Sequence, residues 1–306
     1  MGPGIEVGML ENVRCALCGA DDTRLVAEID ALHIVRCRKC GLIYVNPRYP
    51  EGFLQEIYTE QYYDHDGIRN GLEFFGYDDY ISDEQNIKIT FSKRLKTIES
   101  LAHKGRLLDV GCATGFFLDL ARSQGWEVLG SEVSEFSADY ARERFNLDVR
   151  LGTLRQLGLD AGSFDVVTMW DVIEHVVDPL AELQEVWRIL RPQGVLSIIT
   201  PDSGSWMARL LGKRWEEFRR VREHIYFFSR RTMREMLQKA GLEVVRMESA
   251  DKVFYLGPAI QRLKYYTWDG AVTSTAAKLV YRLGLDKVRV NVNPLTKMTV
   301  YARKTE

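Results

Sequence analysis

From Arg106 onward the chain alternates short apolar runs with amphipathic stretches, and this alternation limits the fold more than any other feature. The runs are RLLDV (106–110), WEVLGSE (126–132), FDVVTMW (164–170), GVLSIIT (194–200), LEVVRM (242–247) and TKMTVYARK (296–304). Several are apolar without a break, as strands covered on both faces by helices are. Helix signals lie between them. Gly115–Gln124 is closed by Gly125, Ser134 precedes EFSADYARERF, and Asp178 precedes Pro179 and a helix running to Leu190. Ser229 precedes RRTMREMLQKA, which Gly241 stops. An earlier helix shows in Ile87, Phe91, Leu95, Ile98 and Ala102, with Gly105 after it. Such β-α repetition predicts an α/β chain with a doubly wound, mostly parallel sheet.

Residues 1–50 read as a separate unit. Four of the five cysteines form two CxxCG turns, Cys15 with Cys18 and Cys37 with Cys40. Each turn places two thiolates together, and Gly19 and Gly41 relax the backbone behind them. Two such turns facing each other make a tetrahedral Zn2+ site of the zinc-ribbon kind. So short a unit is expected to take its folding energy from the metal. Residues 51–82 are tyrosine-rich and read as a linker or lid, and residues 83–306 as the main domain.

The loop after the first strand of the main domain, DVGCATG, decides the cofactor. A dinucleotide loop needs G-x-G-x-x-G. Here Ala113 stands at the second glycine and Phe116 at the third. A phosphate loop fails as well, because no Gly-Lys-Ser/Thr follows. What remains, Asp109-x-Gly111-x-Ala113-x-Gly115, resembles the first motif of the class I S-adenosylmethionine-dependent methyltransferases. The resemblance implies a seven-stranded Rossmann-like sheet and S-adenosylmethionine as cofactor. Asp109 would face the ammonium side of its methionyl group, with Gly111 and Gly115 letting the backbone pass close. Glu132, with Val133 beside it, would take the ribose hydroxyls. Thr153 and Leu154 fall where the family contacts adenine. Trp170 and Asp171, in FDVVTMWDVIEHVVDP, fall at the carboxyl end of its fourth strand.

Methyl transfer to a hydroxyl or an activated carbon needs a base, and histidine suits that near neutral pH. His175 follows the fourth strand directly. Glu223 and His224, in REHIYFFS, read as a second candidate in which one group orients the other. A zinc ribbon, tyrosines before the core and a Glu-His pair after it are similar to bacterial sugar C-methyltransferases. The resemblance implies a sugar, nucleotide-sugar or glycan acceptor methylated on oxygen or carbon. In this chain Val221 stands where that family's motif has its first tyrosine, with Tyr62 and Tyr63 as substitutes.

A net charge of -2 gives no overall pull toward nucleic acid. Residues 209–234 are locally arginine-rich, which reads either as a solvated charged face or as a grip for the phosphates of a nucleotide-sugar or lipid-linked glycan. The alternative is an RNA methyltransferase that holds nucleic acid with the ribbon and these arginines. The aromatic stretch 254–285 is expected to pack in the core, or to touch a membrane surface if the acceptor is lipid-linked. With no secretory leader and no run of about 20 apolar residues, a cytoplasmic protein is expected.

Overall fold

The structure is a computed structural model that describes residues 10–29, 32–50, 81, 83–262, 270–293 and 295–305. The tyrosine-rich segment, with Tyr62, Tyr63 and His65, lies outside the described residues.

Three N-terminal strands, β1 (Thr23–Ile29), β2 (Leu32–Cys37) and β3 (Ile43–Val45), come first. Helix α1 (Glu84–Leu101) leads into β4 (Arg106–Val110), α2 (Phe116–Ser123), β5 (Glu127–Glu132), α3 (Glu135–Phe145), β6 (Val149–Leu151) and β7 (Phe164–Trp170). Then follow α4 (Pro179–Ile189), β8 (Leu190–Pro201), α5 (Trp206–Leu211), β9 (Tyr226–Phe227), α6 (Arg230–Lys239) and β10 (Leu242–Ser249). The last elements are β11 (Lys252–Tyr255), α7 (Leu256–Arg262), α8 (Gly270–Arg282), β12 (Arg289–Val292) and β13 (Lys297–Lys304).

The main sheet has seven strands in the order β10-β13-β8-β7-β4-β5-β6. Pairs from β8 to β6 are parallel, and β13 runs antiparallel to both of its neighbours. The chain leaves β4 toward β5 and β6, then returns to lay β7 and β8 on the other side. The strand order therefore reverses between β4 and β7, and ligands of open α/β sheets bind outside the carboxyl ends at such a reversal.

The caps that the sequence marks are made. Ser134 accepts from the Ser137 N–H, Asp178 from Ala181 and Ser229 from Thr232. Neighbouring residues of one strand point to opposite faces. Leu107, Val166 and Val195 join a core under α1, α2 and α3. Leu108, Val167 and Leu196 join a second core under α4 and α6. Each such side chain taken out of water contributes about 1.5–3 kcal/mol.

The N-terminal unit is less independent than its length suggests. Strand β3 pairs antiparallel with β9, Ile43 with Phe227 and Tyr44 with Tyr226. Ile34, Leu42 and Tyr44 belong to the same core as Met233 and Leu237 of α6. Lys239 donates to the Leu17 carbonyl and Arg231 to that of Cys40. The unit buries its apolar face against the main domain, so metal is not its sole source of stability. A two-residue β9 without turn signals is invisible to pattern reading.

The C-terminal insertion pairs β11 with β12 and leaves Leu279, Leu283 and Leu285 exposed. Among the described residues no helix is long and apolar enough to cross a membrane.

Candidate active site and metal centre

The loop after β4 is left-handed at Gly111 (φ 68°), Ala113 (φ 47°) and Gly115 (φ 80°). Packing within the chain also calls for glycine at two of these positions. A Cβ on Gly111 would lie 2.7 Å from Val172 Cγ2, and one on Gly115 would lie 2.7 Å from Leu147 Cδ1 and 2.9 Å from Ala141 Cβ. Ala113 holds a conformation that costs a residue with a Cβ about 1–2 kcal/mol. Its N–H donates to Glu132 Oε2 at 2.8 Å, which fixes it there.

Glu132, 4% exposed at the end of β5, also accepts from Val133 N–H at 2.8 Å and Ser134 N–H at 3.0 Å. A carboxylate offers roughly four lone-pair positions, so one remains for a ligand hydroxyl. Asp109, the penultimate residue of β4, accepts from Thr168 Oγ1 at 2.5 Å. Burial pushes its carboxyl up to about 7; the Thr168 bond opposes this and the nearby Glu132 adds to it. Burial also raises Glu132 against its three N–H donors. Neither carboxylate has a cation partner among the described residues. Thr114 Oγ1, in the same loop, is buried without a hydrogen-bond partner. Cys112 is buried under the loop, and its thiol is pushed well up, chiefly by burial. That makes it a filler rather than a nucleophile.

The other expected cofactor residues lie around the same edge. Val133 is 39% exposed, whereas Leu154 is fully buried in the core. Thr153 caps the turn that follows β6, its N–H donating to Gln156 Oε1 at 2.8 Å. The Trp170 ring packs on Phe117 and Phe91, with its Nε1–H donating to Ser197 Oγ at 3.0 Å. Asp171, left-handed at φ 57°, takes the Lys297 ammonium at 2.7 Å. Burial would raise the Asp171 carboxyl, but Lys297 more than offsets it and holds it low.

Beyond Asp171 the edge becomes a buried polar cluster. His175 and His224 meet edge to face, with ring centroids 4.6 Å apart. His175 Nδ1 lies 2.9 Å from the Glu223 carbonyl oxygen and donates to it. Burial pushes the His175 imidazole down to about 4, so it is neutral near pH 7. His224 is 1% exposed, and its Nδ1 lies 3.3 Å from Glu217 Oε2, outside hydrogen-bonding geometry. The sequence suggests Glu223 and His224 as a pair. The structure instead gives the Glu223 carboxylate to Arg220 at 2.5 Å and its carbonyl to His175.

Sequence reasoning missed Glu174, Glu217, Lys297 and Thr168. Glu174 is fully buried with both carboxylate oxygens unpartnered, and burial together with Asp171 pushes it up to about 8. Its place before His175 in DVIEHV was the available signal. Ligand atoms of Glu174, His175 and His224 lie within 4.8 Å of one another, a spacing that could also accept a divalent cation.

The four N-terminal cysteines converge as expected. Their sulfurs lie within 4.8 Å of one another, Cys15 and Cys40 at 3.4 Å and Cys18 and Cys37 at 3.5 Å. Tetrahedral Zn–S bonds of about 2.3 Å put ligand sulfurs about 3.8 Å apart. In each turn the glycine N–H donates back to the first cysteine carbonyl, Gly19 to Cys15 at 2.8 Å and Gly41 to Cys37 at 2.9 Å. Donor set and geometry fit zinc.

Residues 83–247 match the family model described as a methyltransferase domain. A Mycolicibacterium smegmatis protein described as an S-adenosylmethionine-dependent methyltransferase is 35% identical over 116 residues, 37% of this chain and 45% of that one. A ubiquinone biosynthesis O-methyltransferase of Ruegeria pomeroyi is 32% identical over 151 residues, 46% of this chain and 60% of that one. The chain thus spans only about half the length of these curated relatives. Among solved structures, one from a Haloferax volcanii complex of the Trm112 activator with a protein described as a methyltransferase has a TM-score of 0.51. At 17% identity it covers 74% of this chain and 95% of that one, a likeness of fold alone.

Proposed function

The chain belongs to the methyltransferase-domain family, and on that premise we propose that it moves the methyl group of S-adenosylmethionine to a hydroxyl oxygen of a sugar, nucleotide-sugar or glycan precursor. When bound, this cofactor supplies an electrophilic methyl carbon on a sulfonium. Its ammonium and sulfonium charges suit an edge where Asp109 and Glu132 are buried without a cation. Asp109, Glu132 and the Gly111–Gly115 backbone would hold it, and Thr114 Oγ1 offers a further contact. Cys15, Cys18, Cys37 and Cys40 hold a structural zinc ion.

One observation carries the acceptor chemistry. His175 gives its Nδ1 proton to the Glu223 carbonyl, which sets the neutral tautomer in which Nε2 carries the lone pair. Nε2 takes the hydroxyl proton of the acceptor as the oxygen becomes nucleophilic. An imidazole held near 4 is too weak a base to strip a carbon acid, but it can assist a hydroxyl whose acidity rises during transfer. Oxygen is therefore preferred over carbon, in keeping with relatives described as O-methyltransferases. The Glu-His resemblance to sugar methyltransferases supports a sugar acceptor.

The test is a methyl-transfer screen over sugars, nucleotide-sugars and RNA, with products identified by NMR. His175→Ala should lower kcat about 10²–10⁴-fold while leaving cofactor affinity unchanged. Calorimetry showing no cofactor binding, or His175→Ala turning over like the wild type, would sink the reading. A carbon-bound methyl in the product would overturn the choice of oxygen.

A further inference from the structure

Two cavities adjoin at the seam between the cysteine unit and the main domain. The larger, about 590 Å³, lies beyond the carboxyl end of β8, between residues 202–206 and the start of α6. The smaller, about 360 Å³, lies against the Cys37–Gly41 turn. Arg36, Gly41 and Arg231 line both, which makes one continuous groove. Arg209 and Arg230 face the larger part, and Arg24, Arg38 and Lys39 the smaller.

The chain answers only some of these charges. Arg230 pairs with Asp202 at 3.2 Å, Arg231 with Glu235 at 2.6 Å and Arg38 with Asp22 at 3.3 Å. Arg24, Arg36, Arg209 and Lys39 have no acidic partner among the described residues. Arg36 Nε is buried without a hydrogen-bond partner. Burial, then the like charges of Arg24, Arg209 and Arg231, lowers its guanidinium from the usual arginine range. Ser229, which caps the ten-residue α6, faces the same groove and brings the positive end of that helix with it. Cations have been gathered where the protein supplies no counter-charge, and an anionic ligand would supply it.

Guanidinium forks match phosphate oxygens in charge and geometry. The larger cavity is the size of a small-ligand pocket, about 300–1,000 Å³. The overall charge of -2 gives no global pull toward nucleic acid. We propose that this groove binds the phosphate groups of a small phosphorylated ligand, of the nucleoside-diphosphate kind, and thereby holds the methyl acceptor by its phosphate end. The link to the acceptor rests on the methyl-transfer reading above; phosphate binding itself does not. The two sites share the carboxyl edge, since Asp202 directly follows β8 and the Asp171 N–H donates to Ile199 O on that strand at 2.8 Å.

The test is calorimetry on the full chain with UDP, ADP, inorganic pyrophosphate, uridine and a single-stranded RNA. The diphosphates should bind and uridine should not. Arg36→Ala and Arg209→Ala should each weaken UDP binding about tenfold or more and leave S-adenosylmethionine affinity unchanged. Arg209 is exposed, so its variant keeps the test intact if Arg36→Ala fails to fold. No diphosphate binding, or equal binding by Arg209→Ala, overturns the site. RNA binding far more tightly than UDP, with the same loss in the variants, overturns the small-ligand assignment. UDP binding without methyl transfer to any nucleotide-sugar supports the groove and removes only its link to the acceptor.

Discussion

The cofactor loop and the arginine groove open on the same sheet edge with opposite charge and opposite construction. At the loop, Asp109 and Glu132 are buried without a cation, and all the parts lie within one β-α-β unit. At the groove, Arg36 and Arg209 lack an acid, and the wall joins the cysteine unit to residues more than a hundred positions away. In each place the protein buries charges that its own groups do not balance, which costs stability. The folding energy comes chiefly from the apolar strands between them. A cation completes one place and an anion the other, which suits a protein that binds a sulfonium cofactor beside a phosphorylated acceptor.

The largest test of this separation is to remove the metal. Arg36 and Gly41 flank the cysteine turns, so chelation of zinc, or Cys37→Ser, should abolish UDP binding. S-adenosylmethionine binding should survive, because the β4–β5 loop makes no use of the unit. Calorimetry with both ligands on the zinc-free protein reads the contrast, and equal loss of both would show that the two regions are one. The converse change is Glu132→Ala. It leaves the N–H groups of Ala113, Val133 and Ser134 without their acceptor. Those donors cost the fold about 1–3 kcal/mol each; the lost ribose bond to a charged acceptor, about 1.5–3 kcal/mol, should lower cofactor affinity about tenfold to a hundredfold while UDP affinity stays within twofold. Retained cofactor affinity would remove Glu132 from the site.

The same contrast explains what could be read from the sequence. The sheet strands and capped helices were legible because each signal is local: Ser134, Asp178 and Ser229 bond N–H groups three residues ahead. The cofactor loop was legible for the same reason, although its glycines prove to be spaced by Val172, Leu147 and Ala141. The four cysteines announced their cluster through spacing alone. The Lys297–Asp171 pair, the Glu217–His224 approach and the β3–β9 pairing join distant segments, and no periodicity carries that information. Glu223 shows how a local signal misleads. Its neighbour in sequence is His224, but Arg220, one helical turn back, takes its carboxylate.

The smallest effect is the most specific to the anionic side. Burial raises the Asp109 carboxyl from 3.8 to about 7 in the folded protein. A proton and a cationic ligand then compete for one carboxylate. Cofactor affinity should fall as pH drops through 7, approaching tenfold per unit. Stability of the ligand-free protein should move the other way. The folded state keeps a proton that the unfolded chain releases above about 4, so this group stabilises the fold at low pH and loses that contribution as pH rises toward 7. Glu132 and Glu174 are raised too and add to the stability trend, so the binding curve is the cleaner readout. Asp109→Asn should flatten it, leaving weaker affinity that no longer responds to pH near 7. UDP binding should weaken only below about pH 6, where its own terminal phosphate takes a proton, and Asp109→Asn should leave that curve unchanged. A wild-type cofactor curve flat from about pH 6 to about pH 8 would mean that Asp109 does not meet the cofactor's positive charge, and the electrostatic contrast between the two regions would fall with it.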